Sequence, residues 1–75
     1  MPKLPVVPAR KVLKALSKAG FYIDHATGAH QSLRHPTKEH IRVTVALHAG
    51  DIKRKTLQSI LKQAEMTVDE FIDLL

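Results

Sequence analysis

The chain has 75 residues, enough for one small domain, and carries 12 Lys and Arg against seven Asp and Glu, a formal charge of +5. It has no cysteine, which excludes disulfides and thiolate metal sites, and no apolar run approaches membrane-spanning length. The charge is uneven: residues 1–64 hold every base and only three acids (+9), whereas residues 65–75 hold four acids and no base. The body of the domain should therefore attract polyanions.

In chain order, the prolines at 2, 5 and 8 leave MPKLPVVP without the apolar centre of a signal peptide. The expected location is the cytoplasm, and Leu4 to Val7 should be an extended arm. Val12, Leu13 and Leu16, extended by Ala9 and Ala19, recur at helical spacing and predict a helix over Pro8 to Ala19, stopped by Gly20. Three strands are expected next, over Phe21–His25, His30–His35 and Ile41–Leu47, joined by links short enough for antiparallel hairpins. Alternation turns Phe21, Ile23, Gln31, Leu33, His35, Ile41, Val43, Val45 and Leu47 inward. It turns Tyr22, Asp24, His30, Ser32, Arg34, Arg42, Thr44 and His48 outward. Leu57, Ile60, Leu61 and Ala64 mark a second long helix, and Thr67 with Glu70 form a capping box that opens a final short one. The expected architecture is α+β: one domain over residues 1–75 in the order α-β-β-β-α with an extra C-terminal helix. Helices cover one face of a three-stranded antiparallel sheet and leave the other open.

That open face would be basic, rich in hydrogen-bonding groups and histidine-bearing, as suits a phosphodiester ligand. Histidines at 25, 30, 35 and 40 are evenly spaced, but a spacing of five on strands alternates faces, so no metal site is expected. His35 and His40 read as structural or ordinary surface residues. His30 follows the turn glycine Gly28 and shares a face with Arg34. Two readings stay open for it: a hairpin residue, or a proton acceptor near neutral pH facing the 2′-hydroxyl of RNA. His48 is a candidate helper. Lys53 and Arg54, at a helix N-terminus, are candidate phosphate contacts. A DNA-binding helix-turn-helix over residues 54–75 is disfavoured, since Asp69, Glu70 and Asp73 would repel phosphate.

Several pieces in a fixed order carry a resemblance: LPVVPARKVLKAL, Gly20–Phe21, Gly28-Ala29-His30, Arg34-His35-Pro36, VTV at 43–45, LHAGDIK, TLQSILKQA and TVDEFIDLL. Together they resemble the HicA-type (YcfA-like) toxins of bacterial toxin–antitoxin modules along essentially the whole chain. The resemblance implies a fold like the double-stranded RNA-binding domain and an mRNA-cleaving activity, and the primary expectation is a metal-independent endoribonuclease with no cofactor. It also implies a hetero-oligomer with a HicB-type antitoxin, and His30 as the catalytic histidine. With it, Gly28, Arg34, Arg42, His48, Lys53 and Arg54 are the expected RNA-binding residues. Ala29 stands where the family usually has serine, His25 where arginine is common, Ala46 where proline is frequent, and Lys55 and Glu65 where glycine is often found. Ala29 sustains an alternative, a module that binds RNA and antitoxin without cutting.

Overall fold

The computed structural model describes residues 4–47 and 50–75. Their order is α1 (Ala9–Lys18), β1 (Tyr22–Thr27), β2 (His30–Arg34), β3 (Arg42–Ala46), α2 (Arg54–Gln63) and α3 (Val68–Leu74). The sheet is antiparallel in the order β1-β2-β3. This is the expected α+β arrangement.

Helix α1 buries Ala9, Val12, Ala15 and Leu16, the residues its 3.6-residue period aligns on one side. It ends in a Schellman motif. The Gly20 N–H donates to Ser17 O and the Phe21 N–H to Leu16 O, each at 3.0 Å, with Gly20 at φ 102°. A Cβ on Gly20 would lie 2.8 Å from Nε2 of His35, so the position is closed to any side chain on two counts. Helix α2 ends the same way. Glu65 N–H bonds to Lys62 O and Met66 N–H to Leu61 O, which puts Glu65 in the left-handed region at φ 55°. Its carboxylate is hydrogen-bonded to Nε2 of His40 at 2.7 Å.

Leu33, Val43 and Val45 of the sheet meet Val12 and Leu16 of α1, Leu57, Ile60 and Leu61 of α2, and Phe71 of α3 in one apolar cluster. Leu4 and Val7 of the N-terminal arm are also buried there, which turns the expected extended arm into part of the core.

Three expectations fail: Leu47, turned inward by alternation, is 37% exposed, and the other two concern β1. Ile23 is opposite Leu33 and on the core face, yet it is 53% exposed, and every residue of β1 is exposed. The helices pack against β2 and β3, and β1 extends past the area they cover. The other edge of the sheet is served differently: Thr44 N–H on β3 donates to Oε1 of Gln63 on α2 at 3.2 Å. A bulge between Ile23 and His25 also shifts the parity of β1, so His25, paired with Ser32, takes the face expected for Asp24.

Two predictions follow from the helix ends. Replacing Glu65 by Gly or by Ala removes the same contact to His40, so the pair isolates the left-handed backbone. Glu65→Gly should be more stable than Glu65→Ala by about 1 kcal/mol in denaturant unfolding. In the capping box of α3, Thr67 N–H donates to Oε1 of Glu70 and Glu70 N–H to Oγ1 of Thr67. That backbone N–H first, then the Thr67 hydroxyl, hold the Glu70 carboxyl below its ordinary value of 4.5, with desolvation opposing them and the charge of Lys38 a smaller help. A lowered folded value means stabilisation that is complete above the ordinary range and lost as pH falls through the folded value. Melting temperature should therefore drop on acidification below about pH 4.5, less steeply in Glu70→Gln than in wild type.

Candidate nucleic-acid interface and active site

The site begins with a turn. Thr27 and His30 are paired, leaving Gly28 and Ala29 as a two-residue loop whose first position has φ 57°. A positive φ at the first central residue only is the pattern of a type II′ turn, whose twist matches that of the flanking strands. Nothing lies within 4 Å of a Cβ built on Gly28, so glycine is needed there for its backbone and not for room. The turn makes His30 the first residue of β2, exposed, on the face opposite Leu33.

Across β3, His30 is opposite Ala46, a side chain too short to cover an imidazole. Beyond it stands the start of α2. Between them is a cleft of about 450 Å³, walled by His30, Thr44 and Ala46 on one side and by Lys53, Thr56 and Ile60 on the other, with Gly50, Asp51 and Ile52 joining the walls. The helix start is held there by the N-terminal arm. Ile52 N–H donates to Val7 O at 2.9 Å, Pro8 bridges Asp51, and Nε of Arg54 donates to Leu4 O at 2.9 Å. Lys53 is the N-cap residue, and no side chain caps the helix. The cleft thus combines an ammonium group with the positive end of a ten-residue helix, a favourable setting for a phosphate. Asp51 contributes an opposing carboxylate.

The described histidines differ in what they already bond. His35 is fully committed: Nδ1 accepts from Thr37 N–H at 3.2 Å, Nε2 bonds to Ala19 O at 3.2 Å, and the ring meets Phe21 edge-on at 5.0 Å. Because Nδ1 accepts, the proton is on Nε2 and is donated to Ala19 O. His40 is joined to Glu65. His25 has Nε2 at 2.7 Å from Oγ1 of Thr27, and its Nδ1 has no partner among the described residues. His30 has none at either nitrogen among the described residues. Nor do three His, Asp or Glu side chains of the described residues gather as a metal-ligand group.

The remaining expected contacts are spread out. Arg34 and Arg42 are paired across β2 and β3 on the face of His30, but at the far end of the strands, about 13 Å away at 3.3 Å per residue. Arg34 also donates to Glu39 O at 3.3 Å. Arg54 is beside the cleft with its Nε occupied by the arm. His48 lies outside the described residues. Of the expected cationic contacts, the fold brings Lys53 to His30 and leaves Arg34 and Arg42 as a separate cationic pair along the same face. Sequence alternation missed His25 and Thr27 on the face of His30, because nothing in YIDHAT marks where a bulge will fall. Asp51 and Thr56 were also missed, since their place in the cleft depends on how α2 docks. A second groove, also about 450 Å³, runs between α1 and α3 with Arg10, Lys11, Lys14 and Lys18 around Val7, Leu74 and Leu75, and shares no residue with the cleft.

Compared with known protein families, residues 9–66 match the model described as HicA toxin of bacterial toxin–antitoxin. No curated protein matches the chain.

The two neighbouring cations of α2 should separate cleanly by stability. Arg54→Ala removes a partly buried bond to the arm and should cost about 1–2 kcal/mol in urea unfolding. Lys53→Ala, exposed and bonded to no side chain cap, should cost less than about 0.5 kcal/mol.

Proposed function

Since the chain belongs to the HicA toxin family, and so is the toxin of a toxin–antitoxin system, we propose that it acts as a metal-independent endoribonuclease on mRNA, with His30 moving the proton. The observation that carries the reading is the state of this imidazole. It is exposed, unbonded at both nitrogens among the described residues, and set in a cleft facing Lys53 and a helix N-terminus. In RNA the 2′-hydroxyl supplies both the proton and the nucleophile. Neutral His30 removes that proton, the 2′-oxygen attacks the adjacent phosphorus, and the 5′-oxygen leaves. Lys53 and the first-turn amides of α2 would hold the non-bridging oxygens, where negative charge grows in the transition state. Arg34 and Arg42, together with the turn at Gly28, would guide the strand across the open face, with Arg54 and His48 as further contacts near the cleft.

The partner is a HicB-type antitoxin in a hetero-oligomer. A chain with a +9 body suits an acidic partner. The groove between α1 and α3, apolar at its centre and ringed by four cations, fits a protein surface that is both acidic and apolar. The compartment is the cytoplasm, where mRNA is found. No helix among the described residues is long and apolar enough to cross a membrane.

Ala29 favours a second reading. A serine hydroxyl there would be one residue from His30 and could bind phosphate, and alanine lacks it, leaving a module that holds RNA without cutting it. Incubation of the purified chain with RNA in EDTA separates the two. Cleavage supports the nuclease, whereas intact RNA retained on the protein supports the binder. In the nuclease, His30→Ala should slow cleavage about 10²–10⁴-fold at unchanged thermal stability. Equal rates for the two proteins would remove His30 from the reaction.

A further inference from the structure

Breaking a phosphodiester by 2′-oxygen attack needs two proton transfers, and His30 accounts for one. The leaving 5′-oxygen is a poor leaving group until it is protonated. We propose that His25 is the catalytic acid that supplies this proton: it stands outside the cleft, on the β1 side of His30, so that a phosphate lying over His30 meets His25 on one side and Lys53 on the other. The inference rests on the ribonuclease reading above and adds a residue to it.

The β1 bulge creates the arrangement. With two residues of β1 opposite Leu33, the register restarts at His25↔Ser32 and continues through Ala26↔Gln31 to Thr27↔His30. His25, Thr27, His30 and Ser32 therefore share the open face, and His25 is the diagonal neighbour of His30. Diagonal neighbours on an antiparallel pair have backbone positions about 7–8 Å apart. Two imidazoles rising from that spacing on one face can each come within hydrogen-bond reach, about 3 Å, of a single phosphodiester lying over the sheet. The ring of His25 is already oriented, since Nε2 is held at 2.7 Å by Oγ1 of Thr27, the residue directly across from His30. In the imidazolium form Nε2–H donates to that hydroxyl, and Nδ1–H is left to donate outward. Asp24 would have occupied this face without the bulge, and an ionised carboxylate has no proton to give.

The step balances within the two side chains and the substrate. The 2′-O–H proton passes to His30, a bond forms between the 2′-oxygen and phosphorus, the bond from phosphorus to the 5′-oxygen breaks, and that oxygen takes the proton of His25. The products are a 2′,3′-cyclic phosphate and a 5′-hydroxyl end. No water, metal or redox partner enters, and proton exchange with solvent resets both rings.

A leaving group that needs no proton tests the assignment. Cleavage of RNA and of uridine 3′-(4-nitrophenyl phosphate), whose nitrophenolate departs unprotonated, is to be measured for wild type, His25→Ala and His30→Ala. His25→Ala should lose about 10²-fold or more on RNA and less than about 3-fold on the nitrophenyl ester. His30→Ala should lose activity on both. Both side chains are exposed, so melting temperatures should match wild type. Equal loss on the two substrates, or none on either, for His25→Ala overturns the acid role while leaving His30 as it stands. A wild type inert on both substrates overturns the ribonuclease reading and this inference together.

Discussion

Everything in this molecule follows from burial on one side of a very small sheet. Leu33, Val43 and Val45 are almost wholly removed from water by α1, α2, α3 and the arm. At about 1.5–3 kcal/mol for each large apolar side chain buried, no other interaction in the domain competes with this one. A chain of 75 residues has too little apolar material to cover a second face. The uncovered face is therefore a consequence of size, and it carries His30, His25, Thr27, Ser32, Arg34, Arg42 and Thr44, with no buried polar or charged side chain among the described residues to support it from below.

The same scarcity shapes the cleft. Helix α2 is docked by Leu57, Ile60 and Leu61, while Arg54, Lys55 and Thr56 at its start are exposed. Backbone pairing takes over: Val7 with Ile52, Pro8 with Asp51, and Arg54 reaching back to Leu4. Because Leu4 and Val7 are buried, the arm is itself anchored, and it transmits that anchoring to the helix start. Lys53 stands opposite His30 through this chain of contacts, which begins at the other end of the sequence.

Local backbone chemistry decides which histidines are available. Gly20 closes α1 and brings Ala19 O against the His35 ring, which then also receives Thr37 and has nothing left to offer a ligand. Glu65, in a left-handed position that glycine would take more readily, recruits His40. Hydrogen bonds thus hold both nitrogens of His35 and one nitrogen each of His40 and His25, while the turn at Gly28 presents His30 without a partner among the described residues.

The element order, the core face of β2 and β3 and the open-face position of His30 were all legible in the sequence. Each depends on a period, a cap or a turn spanning only a few neighbouring residues. Residue spacing could not reveal that Ile23 is uncovered, that the bulge turns His25 toward His30, that Arg34 and Arg42 are remote from the cleft, or that the arm is core. Those outcomes depend on how far two helices extend over three strands and on which residues they meet. Such contacts form between segments distant in the chain, and no local pattern encodes them.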